Sequence, residues 1–400
     1  MRILYICNEY PPAVHGGIGI FVRTLAEQLA AMSHDVAVIG FASHAAAAAE
    51  TVENGVRVVR LPWPRGGRSL RVGRFRIDSS AVTARKILSR ETARFARELR
   101  PHVVESHDWS GPLWTPPWRP LIVRLHGASS VLKPPGARKA SRLMRFLERR
   151  NVRMADSTVS ASRFIGRTTM DALGIAKPFT TIYHGIDTDR FRPGEATRCP
   201  KQVLFVGTVK KQKGIQELFE AIPRILEAAP EACFTIAGRY PADPADACSP
   251  LSLLRGLSRG QDSSFSSTRV RFPGQVSREG LPRLYCRAAV AVFPSHLEAF
   301  GLACAEAMSC GAAVIFTRSG SGPELVEAGV SGLLVEPGDS RALASAVVRL
   351  LNDPALRRRM AAEARRRIVE NFRLEDTAAR NIVFYEQAAR RFASPQNTYA

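Results

Sequence analysis

No apolar run in this 400-residue chain approaches the roughly 20 residues that span a bilayer, so no membrane-crossing helix is expected. Met1–Cys7 is apolar but meets Asn8 and Glu9 at once, so the chain is expected to be neither secreted nor membrane-spanning. Cysteine is scarce. The seven (Cys7, Cys199, Cys233, Cys248, Cys286, Cys304 and Cys310) form no C-x-x-C pair and mostly lie in apolar runs, as reduced core thiols of a reducing compartment do. No His, Cys, Asp or Glu cluster has metal-ligand spacing, and no nucleic-acid-binding module is visible. The expectation is therefore no metal, no cofactor and no nucleic-acid partner.

Acidic residues are outnumbered, 36 against 57 Lys+Arg, for a formal net charge of +21. Residues 1–190 hold 29 of the bases against 15 acids, net +14, which leaves +7 for the remainder. The excess gathers in Arg60, Arg65, Arg68, Arg71, Arg74 and Arg76, and again in Arg138, Lys139, Arg142, Arg145, Arg149, Arg150 and Arg153. Such clusters either attract an anionic membrane or substrate or are solvated faces, and both readings stand.

With 45% apolar residues and this length, the chain reads as a globular enzyme of two domains. Its organising stretch is Pro294–Gly311, between the apolar runs Ala288–Phe293 and Ala312–Thr317, which reads as strand, helix, parallel strand. Glu298 falls in the loop before the helix and Glu306 inside it. Eight helical residues rise about 12 Å, too far for the paired carboxylates of a glycosidase, so the two glutamates are placed to grip the ends of one long ligand. The first helix amides, at Phe300-Gly301-Leu302, offer N–H groups and a positive dipole end to a phosphate between them. A nucleoside diphosphate sugar has that shape. The plainer alternative makes Glu298 a helix cap and leaves Glu306 in solvent.

Earlier in the chain, strand Arg2–Cys7 feeds a Pro/Gly loop and a helix from about Ile18 to Met32. Gly16-Gly17-Ile18-Gly19 lacks the third glycine and the acidic strand end of a dinucleotide fingerprint, so nicotinamide is not expected. Val56–Leu61 reads as a strand and Pro62–Arg76 as a loop before a helix. Strands His102–Asp108 and Leu121–Gly127 flank a loop whose Trp109, Trp114 and Trp118 are either sugar-stacking faces or loop anchors. His126 ends a strand at the edge where open parallel sheets place ligands. Phe179–Asp187 reads as a strand and Thr188–Pro200 as a linker. Strand Lys201–Gly207, a Lys/Gly loop, a helix to about Ala229 kinked at Pro223, and strand Cys233–Gly238 then restart the alternation. Arg239–Thr268 reads as an elaborated segment with one helix near Leu251–Leu257, and Arg269–Val276 as a strand.

The Glu-x7-Glu of Glu298–Glu306, written E-A-F-G-L-A-C-A-E-A, resembles the signature of family-4 retaining glycosyltransferases, and the order of motifs from Gly16-Gly17 to about Phe372 is similar to theirs. The resemblance implies an α/β GT-B fold with two Rossmann-like doubly wound domains facing a cleft: 1–190 on the acceptor side, 191–373 binding the nucleotide sugar, and a helix over 374–400 crossing back to the first domain. It implies retaining transfer of a hexose-type sugar from a nucleoside diphosphate sugar to a hydroxyl of a glycan, a lipid-linked glycan or a small molecule, without a metal. The enzyme would sit in the cytoplasm, peripheral at the inner membrane face where the acceptor is lipid-linked. Catalytic positions carried over are His126, Lys213 and Glu298. Donor-binding positions are Gly16, Gly17, Val276, Phe300, Gly301, Leu302 and Glu306. The loop Gly207–Gly214 resembles the family's Gly-Arg-x4-Lys-Gly, with Lys213 in place and Thr208 where the arginine stands, so Lys210 or Lys211 is left to supply the second charge. Two rival readings are a nucleotide-sugar isomerase or phosphorylase on the same fold, and a binding protein without turnover.

Overall fold

The computed structural model describes all residues except 13–15, 43–46, 65–68, 73–74, 130, 132–140, 195, 197, 259–268 and 394–400, and the side chains of 69–80 and 258. Arg65, Arg68, Arg74, Arg138 and Lys139, with the side chains of Arg71 and Arg76, therefore lie outside the described residues. The chain forms two compact units, one of residues up to Gly185 together with those from Leu374 onward, the other of Ile186–Arg373.

The first unit runs β1 (Arg2–Ile6), α1 (Gly17–Ala31), β2 (Asp35–Ala42), β3 (Ala49–Glu53), β4 (Val56–Pro62), β5 (Ser69–Val72), β6 (Phe75–Asp78), α2 (Ser79–Leu99), β7 (Val103–His107), β8 (Leu121–Leu125), α3 (Arg142–Met154), β9 (Ser157–Ser160), α4 (Arg163–Leu173) and β10 (Thr180–Thr181). Its main sheet is ordered β10-β9-β8-β7-β1-β2-β4-β3, parallel except for β3. Continuous apolar runs such as Ile3–Ile6 and Leu121–Val123 are buried on both faces, as parallel strands are. Helix α1 docks through Phe21, Val22, Leu25, Ala26 and Leu29, a stripe at helical spacing.

The second unit runs β11 (Gln202–Val206), a 3-10 turn at Lys211–Lys213, α5 (Ile215–Ala228), β12 (Cys233–Ala237), α6 (Pro250–Ser258), β13 (Val270–Gly274), α7 (Leu281–Arg287), β14 (Val290–Phe293), α8 (Leu302–Ser309), β15 (Ala313–Thr317), α9 (Gly322–Leu325), β16 (Leu333–Val335), α10 (Ser340–Asn352) and α11 (Pro354–Asn371). Its parallel sheet has the order β13-β12-β11-β14-β15-β16, so the winding direction reverses between β11 and β14. That is the doubly wound dinucleotide-fold order, in which ligands bind beyond the strand ends at the reversal.

Two expectations are corrected, one strand is new and one helix ends where expected. The Pro62–Arg76 loop contains the β5–β6 hairpin. The strand β3, not anticipated, pairs with β4 across Asn54-Gly55, both at positive φ (49° and 82°), a pair that suits a two-residue hairpin turn. The strand expected over Phe179–Asp187 shrinks to Thr180–Thr181, because the Tyr183-His184-Gly185 segment leaves the sheet. Helix α5 runs through Pro223 and ends at Ala228.

The last helix, α12 (Leu374–Ala393), belongs to the first unit and is fixed there by buried polar groups. Arg124 on β8 is fully buried and forms a two-pronged pair with Glu105 on β7 (2.7 and 3.0 Å). Its Nη2 also donates to Asn381 of α12 at 2.5 Å, while the Tyr385 hydroxyl donates to Glu105 at 2.7 Å. Burial opposes the Arg124 charge, but Glu105 outweighs it and holds the guanidinium protonated. A buried pair that loses one partner leaves the other charge uncompensated, at a cost of about 3–5 kcal/mol. Glu105→Ala is therefore expected to lower the first unit's unfolding free energy by about that amount in urea titrations. Arg366→Ala, which breaks an exposed pair with Glu363 and Glu370, should leave the midpoint where it is. Equal midpoints for all three proteins would refute the ranking.

Candidate functional site

The reversal point of the second unit is where two loops are welded together. One follows β11 and carries Lys213; the other follows β14 and carries Glu298. Gly214 has φ 69°, and a Cβ there would stand 1.9 Å from the Pro294 carbonyl oxygen, so no larger residue fits. The His296 amide donates to the Gln212 carbonyl (3.0 Å), and the His296 ring meets Glu217 at 2.8 Å. Across this seam Lys213 Nζ donates to Glu298 Oε1 at 2.5 Å, and the Ser295 hydroxyl donates to the same oxygen at 2.7 Å. Two groups assigned separate tasks in the sequence thus form one partly buried ion pair.

The loop then turns into α8. Gly301 lies at φ 93°, and a Cβ would stand 2.5 Å from the Phe316 ring. No side chain caps α8, so its amino end presents amides and a positive dipole. From the other side the Ser321 amide donates to the Glu298 carbonyl and the Ser321 hydroxyl to that of Phe300. Phe300 itself is a buried anchor packed on Phe372 at 5.7 Å, and Leu302 is half-buried.

Glu306, one turn further on, is 8% exposed rather than solvated. The Tyr285 hydroxyl donates to its Oε2 at 3.0 Å. Burial lifts its pKa to about 7, against the pull of Arg278 and of the Tyr285 bond. A buried carboxyl poised at neutrality, with Oε1 left over among the described residues, suits a pair of ligand hydroxyls.

Of the other positions in this unit, Thr208 and Val276 are half-buried at the ends of β11 and β13, while Lys210 and Lys211 are exposed. A cation that sequence reasoning passed over is Arg239. Its carbonyl receives the Val209 amide at 2.9 Å, and its charge lies close to those of Lys210 and Lys213. Arg239 sits 31 positions beyond Thr208, and only the β11–β12 pairing reveals the proximity.

The first unit gathers histidines at the ends of β7 and β8. The His126 and Gly127 amides donate to the two oxygens of buried Asp108 (2.9 and 3.1 Å), which fixes the turn at the strand end. The His126 ring lies 5.3 Å from both Phe21 and His184, and His184 stacks on Phe21 at 4.1 Å. Burial, with the Arg124 charge, takes His184 down to about 3, and burial, His184 and Arg124 take His126 well below the imidazole range. His126 is therefore a neutral hydrogen-bonding group. Gly16 and Gly17 are exposed at the amino end of α1, which no side chain caps. Trp118 and Trp114 are anchors: the Trp118 indole donates to the Pro101 carbonyl, and Trp114 sits beneath Lys86 and Arg150. Trp109 lines a cavity instead.

A family model described as "Glycosyl transferases group 1" matches residues 187–367, and one described as "Glycosyltransferase Family 4" matches 15–190. A glycogen synthase of Mycobacterium tuberculosis is 31% identical over 421 residues, covering 99% of this chain and 97% of its own. The chain belongs to the family-4, group 1 glycosyltransferases. It has the GT-B fold, shared with sucrose-phosphate synthase from Thermosynechococcus elongatus (TM-score 0.79, 23% identity, 98% of this chain and 99% of that one). Anabaena HepE, solved with UDP and glucose, shares it too (TM-score 0.72, 19% identity, 97% and 100%). In a glycosyltransferase a raised pKa at Glu306 carries a sign. A carboxylate can accept two hydrogen bonds from hydroxyls, and that form fills as pH rises through about 7. UDP affinity is expected to rise between pH 6 and 7, by at most about tenfold per unit, and then level off. Calorimetric titration of wild type and Glu306→Gln would isolate this component, and identical pH profiles would refute it.

Proposed function

We propose that the enzyme moves a hexose from a nucleoside diphosphate sugar to an acceptor hydroxyl with retention of anomeric configuration. The Lys213–Glu298 pair beside the uncapped end of α8 carries this reading. As the glycosidic bond breaks, negative charge grows on the diphosphate, and Lys213 and the α8 amides meet it without reorganisation. No metal is needed for that task in this reading. Arg239 supplies the second cation that Thr208 lacks. Glu306, positioned by the Tyr285 hydroxyl, holds the ribose, Val276 lies beside the base, and neutral His126 bonds the sugar. Glu298 accepts one Lys213 N–H and holds the ammonium in place, leaving its other N–H groups for the diphosphate. Gly16 and Gly17 let backbone approach the donor. The UDP and glucose of the Anabaena structure support a uridine donor, and the name of the mycobacterial relative supports a glycan acceptor.

Lys213→Ala is expected to lower kcat by about a hundredfold or more with modest change in KM, because the lost charge matters most as the leaving group ionises. EDTA should leave the wild-type rate unchanged. Unaltered kcat in the variant would reject the assignment, and donor consumed at full rate without acceptor would favour the isomerase.

A second reading concerns docking. Helix α3 exposes Phe146 (52%) among exposed Arg142, Arg145 and Arg153, an apolar tip in a basic face that suits an anionic bilayer. No helix among the described residues is long and apolar enough to cross a membrane. Vesicles with anionic lipid should co-sediment the protein at low salt and release it as salt rises, while neutral vesicles should not bind. Binding indifferent to lipid charge would leave these arginines as a solvated face.

A further inference from the structure

The first unit encloses a cavity of about 360 Å³, within the range of small-ligand sites. It lies beyond the ends of β1, β2, β4 and β7, at that sheet's own reversal between β1 and β7. Three aromatic rings line it: Phe41, Trp63 and Trp109. Trp63 is 54% exposed and meets Phe41 edge-on at 5.2 Å, so a large indole is held by the cavity without being needed for the core.

Polar groups in the same wall are unspent. His107 is 5% exposed; the Trp109 backbone lies within reach of its ring, and no side chain among the described residues bonds either nitrogen. Burial lowers its pKa to about 4 against that backbone contact, so the ring is neutral and keeps one nitrogen for a ligand. A buried orphan of this kind costs stability unless a ligand satisfies it. Asn8 accepts from the Phe41 amide through Oδ1, which leaves its NH2 to donate.

Charge decides the class of ligand. The cation in the wall is Arg85, which keeps its charge but turns three of its five N–H groups to the carbonyls of Gly111, Ala81 and Ser110. Glu9 adds a carboxylate. A phosphate would meet a cation whose donors are mostly taken and a carboxylate that repels it. A pyranose ring would find aromatic faces for its C–H side and neutral partners for its hydroxyls.

We propose that this cavity is the acceptor site, that it takes an uncharged sugar ring stacked on Trp63 and Trp109 with hydroxyls bonded to His107 and Asn8, and that it discriminates against phosphorylated acceptors. Calling the ligand an acceptor rests on the transferase reading; the binding itself does not. The test is tryptophan fluorescence of the full chain titrated with neutral glucose oligosaccharides of one to four units, and with glucose 6-phosphate and inositol 1-phosphate, all without donor. At least one neutral sugar is expected to quench saturably, with affinity at least about tenfold above either phosphate ester. Trp63→Ala, a change at an exposed position, should weaken that sugar by about tenfold or more, and so should His107→Ala. Tighter binding of a phosphate ester, no response to any neutral sugar, or undiminished binding by Trp63→Ala would overturn the proposal. UDP titrated separately reads the donor site: failure there would count against the transferase reading while leaving the sugar result as measured.

Discussion

The second unit's chemistry depends on one close approach, the backbone of Gly214 against the carbonyl of Pro294. Any side chain at 214 would push apart the loops that follow β11 and β14. With them would go the 2.5 Å Lys213–Glu298 bond and the His296–Gln212 bond that closes the seam. The site is thus preorganised by backbone sterics before any ligand arrives, which is the condition for an electrostatic group to favour the transition state rather than merely follow it. Gly301 and Gly320 extend the same device along the loop: a Cβ at Gly301 would strike Phe316, and one at Gly320 would come within 2.4 Å of the Glu298 carbonyl oxygen.

The first unit solves a different problem. Its Arg124 is buried without solvent, so the charge survives only by its bonds to Glu105 and Asn381 and by its seat 4.9 Å over the Phe21 ring. That fixed positive charge helps keep His126 and His184 neutral. One ion pair therefore both fastens α12 to the sheet and reinforces the neutrality that burial gives the histidines beyond β8 and β10, so stability and site chemistry are linked here.

What was legible in the sequence was local. Continuous apolar runs gave the strands around Pro294–Gly311, the Glu298–Glu306 motif marked the family, and the glycines marked where backbone must turn. The β3–β4 hairpin was equally local, announced by Asn54-Gly55, and was missed because the polar strand Ala49–Glu53 shows no apolar alternation. The Lys213–Glu298 pair, 85 positions apart, and Arg239 beside the Thr208 loop depend on strand order, which periodicity does not carry. Burial of Glu306 was hidden for a related reason: a glutamate on a short helix reads as solvated until Tyr285, 21 positions away, is seen to hold it.

The two reversal points show a division of electrostatic labour. In the second unit the groups are ionic or poised to ionise: Lys213, Glu298, Glu306 and an uncapped helix end. In the first the imidazoles of His107 and His126 are kept neutral by burial, and Arg85 keeps its charge but turns N–H groups onto backbone carbonyls. Departure of a diphosphate creates charge, whereas recognition of sugar hydroxyls creates none. On the reading proposed above, a cation left bare in the sugar cavity would compete for the diphosphate and lower the discrimination between the two ligands. On that reading the uncharged imidazoles of the first unit serve specificity as the charge of the second serves turnover, and they are kept uncharged by burial.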